Sequence, residues 1–573
     1  MWATERARLT RVARGDARAD RVVQGGLLLN VYTGETYPAD VAIAGERIAA
    51  VGRCAALVGP RTDIIDARGR TLVPGYIEPH AHPWNLTTPA ALARHVLPLG
   101  TTAIVGDNLV PYELAGRRGF EAAAAALANG PLRFYWMVRP HGQSAGRRDA
   151  GRFRLAEIRR MLARPWAAAL GEVTRWPDLV AGRLDLLARV GLAHAAGKRV
   201  EGHTAGASSQ KVGTLAAAGI TSDHEPITAE EALDRARQGI ALMLRQSSLR
   251  PDLRGLLAPF VKAGALGRVM LTTDGSMPAF VARHGFVDHL VRVALDAGVP
   301  PLDAYRMVTL NPAAYYGLDA DLGGIAPGRY ADIALLEDPA EPRPAAVIAR
   351  GRLAARGGQL LVPVPEPRWG QILPATPGFA SLRRIRAADL EPGAGSVPVL
   401  KLVSAVITRL EERPIGPGDL RAALIDRRSR RVTTAALSGF APSLDGLATT
   451  LSADHQVLAL GRRADSMARA IDRLARLGGG VVLADGERIA FELPLPIGGL
   501  MSPRPLAEVA RGEQALHRHL QARGYRFHEP VFTLLFLTAD FLPSVRLSAR
   551  GVWDVKRARV IRAGRPLRPD ASR

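Results

Sequence analysis

Cys54 is the one cysteine in a chain of 573 residues. Without a second thiol no disulfide can form within the chain, and a zinc site built on several cysteines is excluded. Aromatic residues make up 5% of the sequence, and acidic residues number 54 against 76 lysines and arginines. The resulting formal charge of +22 is scattered over every region rather than gathered with aromatics into a stripe, so nucleic acid is not expected as a partner. Apolar runs are short. The most apolar late stretch, Val531 to Leu537, falls far below the about 20 residues a membrane-spanning helix needs, and no membrane partner is expected either. The start, Met1-Trp2-Ala3-Thr4-Glu5-Arg6, is polar and has no apolar signal core, which makes a cytoplasmic protein the expectation. A Gly-x-x-x-x-Gly-Lys-Ser/Thr phosphate loop and a Gly-x-Ser-x-Gly nucleophile elbow are both missing.

What is present is a folded composition, 47% hydrophobic and 23% charged. At about 100–200 residues per domain the chain is long enough for two to four domains. Residues 1–72 hold short apolar runs separated by turn signals, such as Leu27-Leu28-Leu29 and Val41-Ala42-Ile43 around Gly45-Glu46. The same texture returns over 323–362, in Ile333-Ala334-Leu335-Leu336. Between them, over 73–322, strand-like runs such as Thr102-Ala103-Ile104-Val105 and Val269-Met270-Leu271 alternate with amphipathic stretches, the pattern of parallel βα units. Roughly 250 residues of that pattern is the usual length of a (β/α)8 barrel. A proline-punctuated linker is expected over 363–378, and a third region over 379–573. Within it, Asp465 is expected to cap a helix with Met467, Ala470, Ile471 and Leu474 on one face, ended by Gly478-Gly479-Gly480 and followed by a hairpin over 481–493.

The sharpest local signal is Glu78-Pro79-His80-Ala81-His82 just after an apolar strand. Residues i and i+2 of an extended chain point the same way, so both imidazoles can reach one ion. Four more metal-ligand residue types, Glu172, His203, His224 and Asp274, each close a strand-like run, and the C-terminal strand ends are where a barrel collects its chemistry. Read singly, His203 and His224 are equally compatible with core histidines, Glu172 with a helix-capping carboxylate and Asp274 with a turn before Gly275. His141, His284 and His455 are further candidates for substrate contact. A site of nitrogen and oxygen ligands is what the inventory leaves.

The order and identity of several pieces resemble the adenine deaminase branch of the amidohydrolase superfamily, in a divergent subgroup. They are Asn30-Val31-Tyr32-Thr33-Gly34-Glu35, Pro74-Gly75-Tyr76-Ile77-Glu78-Pro79-His80-Ala81-His82, Ser222-Asp223-His224-Glu225, Asp303-Ala304-Tyr305-Arg306-Met307 with Asn311-Pro312, and the run from Glu492 through Pro496-Ile497-Gly498-Gly499-Leu500-Met501-Ser502. The resemblance implies an α/β fold: a metal-dependent (β/α)8 barrel, a small β-sandwich unit built from both flanks, and an α+β C-terminal domain. It implies two divalent ions, manganese or iron with zinc as a further candidate. His80 and His82 would hold one, His203 and His224 the second, Glu172 would bridge them, and Asp274 would be a ligand that also moves protons. The implied reaction is adenine plus water to hypoxanthine plus ammonia, on a small purine-like substrate, by a monomer or homo-oligomer. A divalent ion lowers the pKa of bound water from about 15.7 toward about 7, which suits attack on a cyclic amidine. Two mouth loops depart from the family. Pro83-Trp84-Asn85-Leu86 stands where an isoleucine-glutamate-serine-serine run is common, and Asp107-Asn108-Leu109-Val110 where aspartate-proline-histidine-glutamate is common. Trp84, Asp107 and Glu225 therefore join the substrate-contact candidates, and another purine, a cyclic amidine or a cyclic amide stands as the alternative substrate. A metal-binding barrel without catalysis is the remaining reading.

Overall fold

In the computed structural model the described residues are 2–143, 151–373, 379–427, 429–453, 455–542 and 544–567. Eight parallel strands run in sequence order around the centre: β1 (Tyr76–Ala81), β2 (Thr101–Asp107), β3 (Arg133–Val138), β4 (Ala167–Val173), β5 (Arg199–Gly202), β6 (Ser222–Asp223), β7 (Ala241–Arg245) and β8 (Val269–Thr272). A parallel bridge between Ala81 and Asp274 brings the last strand back to the first. Strands covered on both faces cannot alternate polar with apolar. Accordingly every residue of β1, β2, β4, β7 and β8 is buried.

A nine-stranded sheet sits beside the barrel and takes five strands from before it and four from after. The seam is the antiparallel pairing of Thr71–Pro74 with Ile333–Leu336, so the two ends of the barrel segment leave from neighbouring strands. Ahead of the first strand lies a helix, Trp2–Ala13, packed by Leu9 and Val12. Residues 363–373 include a short helix, Trp369–Ile372, whose Trp369 is buried against the barrel's helix Leu109–Ala128 and edge-on to Trp84. The linker positions 374–378 lie outside the described residues.

The C-terminal region forms a second nine-stranded sheet with the helix Ala464–Leu477 across it. Met467, Ala470, Ile471 and Leu474 are buried on one face, and Gly478, at φ 78°, ends the helix in the left-handed conformation glycine tolerates best. Asp465 is not the cap: Arg463 precedes the helix, and Asp465 stands in its first turn, where its carboxylate pairs with Arg463 at 2.7 Å and favours the N-terminal dipole. The hairpin pairs Gly480–Asp485 with Arg488–Pro494. Two features lean this region over the barrel. Met501–Ser502 adds a parallel strand to Leu86–Thr87, in the loop after β1, and the helix Pro530–Phe536 lies over the strand ends. Among the described residues no helix is long and apolar enough to cross a membrane.

Candidate metal centre and active site

Each of the six ligand candidates closes a strand or follows it directly. His80 is in β1 and His82 one residue past it, Glu172 is in β4, His203 follows β5, His224 follows β6, and Asp274 lies two residues beyond β8. Their ligand atoms form three overlapping groups, His80 with His82 and Glu172, His80 with His224 and Asp274, and Glu172 with His203 and His224. Within each group all atoms lie within 4.8 Å of one another. The contacts include His82 Nε2 to Asp274 Oδ1 at 3.3 Å, His82 Nε2 to Glu172 Oε2 at 3.9 Å, and His224 Nε2 to Glu172 Oε1 at 3.5 Å; His203 Nδ1 also contacts Glu172 Oε1.

The frame behind these groups is polar and buried. His80 Nδ1 is 2.7 Å from Glu201 Oε2, and both side chains are fully buried. The Tyr316 hydroxyl lies against the other Glu201 oxygen and 2.7 Å from the Pro79 carbonyl, with one hydrogen to share between the two acceptors. Glu201 can come this close to β4 because residue 171 is glycine; a methyl there would stand 2.8 Å from the Glu201 Cβ. Glu78 accepts from the His80 and Thr273 amides at 2.9 Å each and from Thr272 Oγ1 at 2.7 Å, pinning β1 to β8. Asp223, in the Ser222-Asp223-His224-Glu225 run, faces away from the centre: Thr204 and Arg235 hold both its oxygens. Carboxylates that orient metal-binding imidazoles in this way fix tautomer and aim.

The electrostatics suit a cation. Burial works against charge on His82 and His203, yet the facing carboxylates outweigh it and push them up to about 10 and about 9. The same pairing overrides burial at Glu172 and Asp274 and holds both well below the usual carboxylate range. An ion at this place takes over the charge those protons carry. Among the described residues His80 Nε2, which faces Asp274 Oδ1 at 3.7 Å, is buried with no hydrogen-bond partner, and the donor set is imidazole plus carboxylate, the set suited to zinc, manganese and iron. The residues fit a divalent metal centre.

Above the cluster lies a cavity of about 340 Å³. The barrel lines its floor with His82, Asp107, Glu172, His203, Glu225 and Asp274, and the C-terminal region roofs it with Phe532, Phe536 and Phe541. Of the substrate-contact candidates, Asp107 stands 3.4 Å from His82 Nδ1, and Glu225 is buried against Arg245, whose cation overrides burial and draws the carboxyl down to about 2. Trp84 is buried in the wall, stacked on Trp136, and donates its indole N–H to the Asp107 carbonyl at 2.8 Å. His455 reaches the cavity from the C-terminal region, 2.9 Å from Glu113 of the barrel.

Two candidates are not brought to the cavity. His141 is buried behind it, with Nδ1 2.9 Å from the Gly142 carbonyl and Nε2 accepting from the Arg175 amide at 3.4 Å; burial and Arg139 lower it to about 3. His284 ends the helix Pro278–His284 on the outside, exposed and packed on Phe280 and His289. Four further side chains touch the candidate centre or its cavity and carry no metal-ligand spacing: Arg139 against Glu172, Arg245 against Asp274, Glu201 against His80, and Phe532 in the roof. The two arginines follow the rule that found the ligands, since Arg139 directly follows β3 and Arg245 ends β7. Arg245 Nη1 also lies 3.4 Å from Asp274 Oδ2.

Comparison with known proteins matches residues 412–559 to the adenine deaminase C-terminal domain and residues 71–354 to the amidohydrolase family. An adenine deaminase of Moorella thermoacetica is 35% identical, covering 96% of this chain and 97% of its own length. One from Cenarchaeum symbiosum is 34% identical over 96% and 94%. A Bacillus cereus protein named "Putative adenine deaminase" is 32% identical over 94% and 93%. Among solved structures, a beta-aspartyl dipeptidase of Fervidobacterium islandicum covers 60% of this chain and 98% of its own, at 18% identity and a TM-score of 0.48.

Proposed function

Because the chain belongs to the adenine deaminase family of amidohydrolases, we propose that it hydrolyses adenine to hypoxanthine and ammonia at the mouth of this barrel. The observation that carries the reading is the convergence of His80, His82, Glu172, His203, His224 and Asp274 from five strand ends onto one buried point under a cavity. These six residues would hold two divalent ions, manganese or iron, with Glu172 shared between them. Such ions, when bound, supply the positive charge that acidifies water near neutral pH.

The protein's own groups account for the rest. Asp274, kept ionised by His80 and His82 against its burial, accepts the proton of the attacking water and returns it to the departing nitrogen. The C6–O bond forms and the C6–N bond breaks; one water proton leaves on ammonia and the other ends on ring nitrogen N1. Glu225, anionic beside Arg245, accepts a hydrogen bond from a purine N–H, and Asp107 is the second acceptor on the floor. The phenylalanine roof excludes bulk water and stacks on the flat ring.

Leu86, Leu109 and Val110 line the same cavity at the two departing loops, and this apolar rim supports the second reading, another purine, a cyclic amidine or a cyclic amide. Ammonia release from adenine by the manganese-loaded protein, compared with Asp274→Asn, decides between them. Release that disappears in the variant is the expected result. A folded, manganese-loaded protein that releases none overturns adenine as the substrate and leaves the other ring amidines and amides to be assayed.

A further inference from the structure

Arg139 is a fully buried guanidinium placed directly beside a carboxylate that the reading above makes a metal ligand. Its Nη1 is 2.6 Å from Glu172 Oε2 and 3.6 Å from Asp107 Oδ2. The Arg139 backbone is held from the other side, its amide donating to Asn108 Oδ1 at 2.9 Å. Among the described residues its Nε and Nη2 are buried without a hydrogen-bond partner, so the side chain's one full partnership is with the two site carboxylates.

The two oxygens of Glu172 are consequently not equivalent. Oε1 faces His203 and His224, while Oε2 faces Arg139 and, at 3.9 Å, His82. An ion among Glu172, His203 and His224 meets an oxygen that no fixed cation claims. An ion among His80, His82 and Glu172 must share Oε2 with a guanidinium, and Asp107, the acidic neighbour of His82, is drawn on by the same cation. A guanidinium keeps its charge and presents fixed donors, so unlike a lysine it cannot give up its proton to make room.

We propose that Arg139 makes the metal centre unequal: one divalent ion is held tightly by Glu172, His203 and His224, and the position among His80, His82 and Glu172 takes its ion weakly because the guanidinium holds the shared oxygen. Arg139 does not line the cavity and acts through Glu172, which makes it a positioning residue. The proposal rests on the metal-centre reading and adds the asymmetry to it.

The test is a manganese titration of the metal-stripped full chain, read by equilibrium dialysis and by the electron paramagnetic resonance signal of coupled manganese pairs. The native protein binds one tight equivalent, with the second weaker by about tenfold or more, the scale expected for a like charge a few ångströms away at a partly screened site. Arg139→Gln strengthens the second equivalent by about tenfold, leaves the first within about twofold, and brings in the coupled signal at lower manganese. Arg139→Lys, whose ammonium can shed its proton beside a second ion, falls between the native protein and Arg139→Gln in the affinity of the second equivalent. Two native equivalents of equal affinity overturn the proposal, whether or not the variants fold. So does a folded Arg139→Gln, matched to the native protein by circular dichroism, whose second equivalent is unchanged. Failure to bind any manganese removes the metal-centre reading itself, and the proposal with it.

Discussion

Glu201 touches neither the cavity nor a substrate, yet replacing it by glutamine should loosen the metal centre. Its carboxylate lies 2.7 Å from His80 Nδ1 with both side chains fully buried, so solvent cannot screen the contact. Two unit charges about 4 Å apart interact by about 4 kcal/mol at an effective dielectric of about 20. A metal-bound imidazole carries only part of a charge, and the glutamine carbonyl still accepts the Nδ1 hydrogen, so a fraction of that energy is at stake. Loss of such an orienting carboxylate typically weakens metal binding by about 10–100-fold, or about 1.4–2.7 kcal/mol. Glu201→Gln is nearly isosteric, and its amide N–H can donate to the Tyr316 hydroxyl, which keeps the Pro79 carbonyl as its acceptor, so the barrel should fold. The assay is manganese affinity by competition with a fluorescent chelator, alongside the thermal midpoint of the metal-free protein. Affinity within twofold of the native value in a folded variant would refute the reasoning that Glu201 aims and polarises His80.

Two further outcomes concern charge outside the ligands. Arg245→Met strips Glu225 of its guanidinium and leaves only His203 and His224 beside the carboxylate, and breaking a buried pair of this kind costs about 3–5 kcal/mol in urea unfolding at neutral pH. Glu225 is held down to about 2 from 4.5, so its contribution is present above pH 4.5 and is lost as pH falls toward about 2; the variant's stability should lack that acid-side slope. Glu513 has the opposite sign: burial and the nearby Glu529 push its carboxyl up to about 8 from 4.5, so its neutral form is favoured in the fold and stability drains away as pH rises from 4.5 through about 8. Glu513→Gln should match the native protein at pH 4 and exceed its thermal midpoint by a margin that grows from pH 4.5 to about 8 and then levels off, and a parallel pair of pH curves would count against the buried carboxyl.

The barrel and the strand-end position of its ligand candidates were legible because two rules of period coincide there. Fully buried parallel strands read as unbroken apolar runs, and the residues that end those runs, His80, Glu172, His203, His224 and Asp274, are forced to the C-terminal rim whatever the helices between them do. The same rule places Arg139 and Arg245 at strand ends, but a guanidinium is not a metal-ligand type and gives no such signal in the sequence. Asp465 misled for a local reason: an aspartate before an apolar face suits the cap and the first turn equally, and Arg463 decides between them by pairing with it. His141, just past β3, has its side chain taken up by the Gly142 carbonyl, and His284, at the far end of the helix that follows β8, packs outside on Phe280. What no local pattern carries is the roof. The pairing of Leu86–Thr87 with Met501–Ser502, the His455 contact to Glu113 and the placing of Phe532 over the floor join residues hundreds of positions apart. The Ile497-Gly498-Gly499-Leu500-Met501-Ser502 run was legible as a resemblance, but the pairing of its strand with the loop after β1 was not. The floor of the cavity is therefore written strand by strand, while its roof and rim are built together by two distant regions of the chain, and Trp84, Leu86, Leu109 and Val110, from the two loops that depart from the family, line that rim.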